Sequence, residues 1–358
     1  MLSNFIFRKA VPVTLHNISK THIQISKKTH EDPINVDHEN PVSLPRCSFS
    51  QRGTFLKSQC KNHSRNSFLE RLNAKSWNAS TKRLPKGIWL PRTMFIDFQH
   101  KLFICLVLKA GSTTYNSLMV QYSDKHIAKN SSRSALALYH NGVRRPEKFG
   151  IKQAGKVSPH ELKEALVNYT KVIATRHPFT RLYSFYKDKV LCKASPIFYQ
   201  ADIIKHARNI TVASPKDACK MNITFLEFFK WYRPRAHRFG NLHVQRVSHS
   251  CKPCEIKYDT FLRIETANDD QLDLINTIFV PNTKRKINAK TIAANVKNRQ
   301  VSDGVSKQIL KQYEGFSDND IKWMNKYYKQ DLELFGYSVN KTGNDSTGKC
   351  EIENSHCC

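Results

Sequence analysis

The chain has 358 residues, room for one large α/β domain or two modest ones around a real hydrophobic core. An apolar content of 40% is ordinary for a globular protein, and 10 cysteines are too few for a disulfide-built scaffold. Lys and Arg number 58 against 29 Asp and Glu, a net charge of +29 that draws in anions: nucleic acid, acidic polysaccharide, nucleotide or lipid headgroup. No C2H2 zinc, RNA-recognition or basic-zipper pattern is visible.

Residues 1–92 are basic and rich in Ser, Asn, His and Pro, without sustained periodicity; they read as a loosely ordered stem or extension. The pattern changes near Trp89. Phe95–Phe98 and the apolar run Leu102–Leu108 read as strands, the second suited to a buried parallel position. A helix is expected from Thr114 to about Val120. Ser158, as a cap, and Pro159 open another over 161–168. Lys171–Thr175 is the next strand, followed by a helix through Arg181–Asp188. Strand, turn and helix thus occur twice, which predicts an α/β domain with a central parallel sheet flanked by helices. Thr224–Trp231 and Asp270–Phe279 read as helices and Tyr258–Glu265 as a strand. Lys284–Arg299 reads as a basic loop and Val301–Leu334 as helical. The domain is expected over 93–338, with a polar tail over 339–358.

The close pair Cys251 and Cys254 allows disulfides, a zinc site completed by His243 and His249, or free thiols. Asn-x-Ser/Thr acceptors at Asn17, Asn62, Asn78, Asn130, Asn168, Asn209, Asn222, Asn340 and Asn344 point to a secretory compartment. No run of about 20 apolar residues exists, so a membrane anchor is expected to be absent or upstream of this chain.

Two turns carry candidate chemistry. After the Leu102–Leu108 strand, Ala110 and Gly111 let a ligand approach the backbone. Ser112, Thr113 and Thr114 offer amides and hydroxyls to a phosphate, and Lys109 supplies a cation. The alternative is an ordinary helix start; the Walker A spacing is absent. After Lys171–Thr175, Arg176 and Ser184 are suited to a second phosphate. The alternative there is a salt-bridged helix start.

Four segments then resemble one family in order. Cys105–Met119, with Lys109, Thr113 and Thr114, is similar to the 5'-phosphosulfate-binding loop of the HNK-1-type carbohydrate sulfotransferases, a group that includes chondroitin and dermatan 4-O-sulfotransferases. Ser112, Leu108 and Tyr115 stand where the family has Cys, Pro and Trp. Arg176–Lys189 resembles its 3'-phosphate-binding element. Asn241-Leu-His243 with Cys251, Cys254, Tyr258 and Asp259 resembles its third segment, with Val244 in place of a Trp. Tyr328–Tyr337 resembles its C-terminal segment.

The resemblance implies a P-loop-like sulfotransferase fold acting on PAPS (3'-phosphoadenosine-5'-phosphosulfate), with PAP, adenosine 3',5'-bisphosphate, as product and no metal. It implies Lys109 and His243 as catalytic residues, with Ala110, Gly111, Ser112, Thr113, Thr114, Arg176 and Ser184 on the donor. His140, Glu265, Asp188 and His177 are alternative bases. Arg233, Arg235 and Arg238, beside His237, are expected to hold the acceptor's anionic groups, or else to form a solvated face. The implied acceptor is an anionic glycan, GalNAc O-4 of chondroitin or dermatan, not nucleic acid. The alternatives are glucuronyl 3-O transfer of the HNK-1 type or a non-catalytic glycan- or PAP-binding protein. The family is Golgi-lumenal and of type II membrane topology. In that oxidising lumen Cys251 and Cys254 are expected to pair with each other or to join separate bridges.

Overall fold

Five strands form a sheet in the order β3-β1-β2-β4-β5. They are β1 (Met94–Asp97), β2 (Leu102–Leu106), β3 (Ile151–Gln153), β4 (Thr170–Thr175) and β5 (Thr260–Arg263). The computed structural model describes residues 47–63, 67–73, 89–124, 146–191, 199–284, 311–337, 340–342 and 349–351, within the compact unit Pro45–Cys358. The Lys284–Arg299 loop beyond its first residue and His140 lie outside them. The expected α/β architecture is present. The sheet is mixed: β2, β4 and β5 run parallel, whereas β1 pairs antiparallel with both β2 and β3. Residues 98–101 between β1 and β2 are too few for a helical crossover, so these strands must form a hairpin.

Alternation along the strands builds a core on each face. Phe103, Cys105, Ile173 and Phe261 belong to one cluster, and Leu102, Ile104, Leu106, Val172, Ala174 and Leu262 to the other. The first face is covered by α4 (Pro159–Asn168), α5 (Pro178–Phe185), α8 (Phe225–Tyr232) and α12 (Asp318–Leu334). The second is covered by α3 (Ser112–Gln121) and α11 (Ala267–Leu274). Ser158 caps α4 by a reciprocal capping box with Glu161, and Thr224 does the same for α8 with Glu227.

The stretch expected to be a loose stem contains two helices, α1 (Phe49–Lys61) and α2 (Phe68–Asn73), and α1 packs on β5. Arg52 is buried, and its Nη1 donates to Asp270 Oδ2 at 2.6 Å and to the Phe261 carbonyl at 3.2 Å. Asp270 Oδ2 also accepts from the Arg263 amide at 2.5 Å, and burial raises this carboxyl's pKa. Gly53 is required by close approach: a Cβ there would stand 1.9 Å from the Asp259 carbonyl oxygen. The helix α1 has weak amphipathicity and polar neighbours, so its docking through one charged residue and one glycine left no periodic signal.

The cysteines of the Cys251/Cys254 pair form separate bridges. Cys251 joins Cys105 at the end of β2, and Cys254 joins Cys60 at the end of α1. Both sulfurs are therefore committed, and a zinc site on this pair is excluded. Short helices α9 (Val247–Ser250) and α10 (Pro253–Ile256) are thus tied covalently to the sheet and to α1. Among the described residues no helix is long and apolar enough to cross a membrane.

Arg52→Ala should destabilise the fold by about 3–5 kcal/mol, because it strands Asp270 as a buried, unpaired carboxylate. Denaturant unfolding checks this; a loss below about 1 kcal/mol would mean that α1 is peripheral to the core.

Candidate active site

Strands β2 and β4 are parallel neighbours, so the turns at their C-terminal ends lie side by side. In the first, the Ala110 amide closes on the Val107 carbonyl at 3.1 Å. Lys109 adopts a left-handed backbone at φ 68° and Gly111 another at φ 78°. Helix α3 then starts at Ser112, two residues earlier than its pattern suggested, because Gly111 provides the left-handed cap. No side chain caps this start, so the first-turn amides remain open donors. The hydroxyls of Ser112 and Thr114 are half-buried and that of Thr113 is exposed; none has a hydrogen-bond partner among the described residues. Ala110 is wholly buried beneath the turn. A Cβ on Gly111 would meet Ile264 Cδ1 at 2.9 Å, so the turn is closely backed.

In the second turn, His177 Nδ1 accepts from the Phe179 amide at 3.2 Å and Pro178 occupies the first helical position of α5. Arg176 spans the two turns: Nη1 donates to the Lys109 carbonyl at 3.2 Å and Nε to Thr180 Oγ1 at 3.0 Å. The Ser184 hydroxyl, half-buried on α5, has no partner among the described residues. Beyond α5 the chain widens into a π-type turn, Tyr186–Val190, which carries Asp188 and Lys189. Asp188 Oδ2 accepts a hydrogen bond from the Lys109 ammonium and stands 3.4 Å from Lys189 Nζ. Burial lowers the pKa of Lys109, against the pull of Asp188. Burial also lowers that of Arg176. For Asp188, burial is the largest single influence and works upward, but the combined hydrogen bonds and charges of Lys109 and Lys189 outweigh it, so the carboxyl lies below its usual range.

His243 sits in the field of Lys109, Lys189 and Asp188. Its Nδ1 donates to Asn241 Oδ1 at 2.8 Å, since an amide oxygen only accepts. That bond fixes the tautomer and leaves the Nε2 lone pair available. Burial, followed by the cations Lys109 and Lys189, lowers the imidazole pKa to about 4. The alternative bases differ. Glu265 accepts from the His177 amide at 2.8 Å and the Tyr337 hydroxyl at 3.1 Å, one on each oxygen. His177 is wholly buried with Nδ1 occupied. Asp188 is engaged by two lysines.

The structure therefore brings together Lys109, Arg176, the hydroxyls of α3 and His243. Two of the three expected acceptor arginines have partners within the protein. Arg233 Nη1 donates to Asp320 Oδ1 at 2.6 Å, and its guanidinium lies over Trp323. Arg235 donates to the Trp231 carbonyl at 2.8 Å and covers that ring. Arg238 alone of the three is exposed. Asn241 and Lys189 were missed as site residues. The Asn-x-His spacing was the available signal for the first; one more lysine in a basic chain gave none for the second.

A family model described as the sulfotransferase family matches residues 92–338. Carbohydrate sulfotransferase 9 of Homo sapiens is 26% identical over 255 residues, covering 69% of this chain and 53% of its own, so this chain spans about half that relative's length. Carbohydrate sulfotransferase 10 of Xenopus laevis is 25% identical over 260 residues, 68% of this chain and 67% of its own. Carbohydrate sulfotransferase 12 of Mus musculus is 24% identical over 263 residues, 68% and 59%. No solved structure matches the chain significantly.

The low pKa of His243 has a definite sign. The unfolded chain binds this proton near pH 6.5 and the folded site only near 4, so burying neutral His243 contributes stability above pH 6.5 that is lost as pH falls towards 4. Histidine NMR titration should find this ring neutral down to about pH 4; a midpoint near 6.5 would contradict the arrangement.

Proposed function

The chain belongs to the sulfotransferase family, and from that premise we propose that it transfers a sulfuryl group from PAPS to a hydroxyl of an anionic glycan. One observation carries the reading: two anion-suited turns on adjacent parallel strands, bridged by Arg176, beside a histidine with a free Nε2. The residues fit a donor with two phosphates. The open amides and hydroxyls of Ser112, Thr113 and Thr114, with Ala110 and Gly111 shaping the turn, cradle the 5'-phosphosulfate. Arg176 and Ser184 hold the 3'-phosphate.

When bound, PAPS supplies the sulfuryl group: its sulfur–oxygen bond to the phosphate breaks as a bond from the sugar oxygen to sulfur forms. His243 Nε2 takes the proton from the attacking hydroxyl. Its depressed pKa keeps it unprotonated at neutral pH, at the cost of basicity. Lys109 leaves Asp188 and neutralises the charge that develops on the departing phosphate oxygen, a contact that strengthens in the transition state. The products are the sulfate ester, PAP and a proton.

The acceptor is GalNAc O-4 of chondroitin or dermatan. Support comes from the likeness of the four segments to the 4-O-sulfotransferases and from the net charge of +29. Action in the Golgi lumen is supported by the disulfides of Cys60 with Cys254 and Cys105 with Cys251 and by exposed acceptor asparagines at Asn62, Asn168, Asn209 and Asn222.

Labelled PAPS offered with desulfated chondroitin, dermatan and a glucuronyl-terminated glycan tests the reading, with the labelled position mapped. Transfer to the glucuronyl 3-hydroxyl would replace the acceptor assignment; PAP binding without transfer would make the protein a binding module. Lys109→Ala should lower kcat roughly 100- to 1,000-fold, and full turnover in that variant would refute the role of Lys109. Arg176→Ala should weaken PAP binding about tenfold or more, as loss of a charge-assisted phosphate contact requires. Calorimetric titration with PAP checks this, and unchanged affinity would remove Arg176 from the donor site.

A further inference from the structure

Beyond the His243 turn lies a second polar cavity, of about 110 Å³, with a lining separate from the donor site. Arg246, Lys252, His63 and His249 contribute cationic or titratable groups, and Ser248 and Gln330 neutral ones. The one acid in the lining, Glu255, is bound by Arg71 and stands 3.9 Å from Lys252. The Arg246 guanidinium lies over Tyr327, 5.2 Å from the ring centroid, and has no carboxylate partner among the described residues. Ser248 Oγ is buried without a hydrogen-bond partner among the described residues. Positive charge, an unpaired hydroxyl and a fork-shaped donor thus converge on a space with room for a few waters or one small oxyanion.

The walls are fixed before any ligand arrives. Cys254, in the lining, is bonded to Cys60, and Cys251 to Cys105. Asp331 accepts the Val247 and Ser248 amides at 2.7 and 2.8 Å, pinning the start of α9. Lys252 holds a left-handed backbone, φ 49° and ψ 53°, a conformation that costs a non-glycine residue about 1 kcal/mol or more and is kept by its surroundings. Arg246 is three residues from His243, so their Cα atoms are at most about 11 Å apart. A polysaccharide whose hydroxyl meets His243 is therefore long enough to reach this cavity.

We infer that this cavity is an anion subsite that takes a sulfate ester or carboxylate from a sugar of the acceptor remote from the reacting hydroxyl. The anion site stands on the cavity itself; naming its ligand as part of a glycan rests on the function proposed above. The subsite selects polyanionic chains over short neutral acceptors by adding a charge-assisted contact outside the donor site.

Binding separates the two readings. Fluorescence anisotropy would measure a labelled chondroitin sulfate oligosaccharide and its desulfated counterpart against the full chain, Arg246→Ala and Lys252→Asn. Asparagine tolerates the left-handed backbone, so the second variant removes charge without straining the turn. Each variant should bind about tenfold more weakly, the value of one charge-assisted contact, with PAP affinity retained as the measure of correct folding. Loss confined to the sulfated chain identifies sulfate as the ligand, and loss with both identifies the carboxylate. Equal affinity of both variants and wild type for both chains, or no binding of either chain to the wild type, would overturn the inference. Weakened binding in a protein that transfers no sulfuryl group would keep the subsite and discard the enzymatic reading.

Discussion

Lys109, Arg176 and Lys189 are gathered around one space, with Asp188 as the carboxylate that pairs there, and the rest of the structure serves to hold that arrangement. Like charges in a partly buried site repel, and burial, with neighbouring cations, lowers the pKa of Lys109 and of Arg176. Such a cluster persists only where the backbone leaves it no escape. The parallel pairing of β2 with β4 sets the two turns side by side, and Arg176 ties them through the Lys109 carbonyl. Asp188 offsets the charge of the two lysines, and in the proposed reaction it yields the Lys109 ammonium to the donor's phosphate.

Supports for this cluster come from distant parts of the chain. Arg181, wholly buried, donates to the Gln245 carbonyl at 2.7 Å and stands 3.9 Å from Asp331, so α5, the His243 turn and α12 are joined at one point. Tyr337 lies 3.1 Å from both Thr175 Oγ1 and Glu265 Oε2, which links the end of β4 to the residue that accepts the His177 amide. Gly336 adopts φ 60° and its carbonyl accepts from Arg263. The C-terminal segment Tyr328–Tyr337, which in sequence looked like one more family signature, is thus a brace: its buried polar groups, on Tyr328, Asp331 and Tyr337, are spent on the scaffold.

The same logic separates the two basic clusters. Arg233 and Arg235 are conspicuous in sequence but cover Trp323 and Trp231 and bond to Asp320 and a carbonyl. Arg246 is inconspicuous, yet it lines a cavity beside an unpaired hydroxyl. Local charge density says where cations are; it says nothing about which ones are already satisfied.

The sequence singled out His243 as a candidate base only through the family resemblance; by itself it determined the strand-turn-helix units, the two turns with their small residues, and the helix cap at Ser158. These rest on interactions within a few residues: apolar alternation, capping spacing, and small residues where a backbone must turn. The tertiary structure alone decided the antiparallel edge of the sheet, the docking of α1 through Arg52 and Gly53, and the pairing of Cys251 with Cys105 and Cys254 with Cys60. It also decided that Lys109 rests on Asp188 and that Nε2 is the free nitrogen of His243. Most of these contacts join residues tens to hundreds of positions apart, where sequence periodicity carries no information. The His243 tautomer is set by a neighbour two residues away, but only the folded turn brings the two side chains within bonding distance.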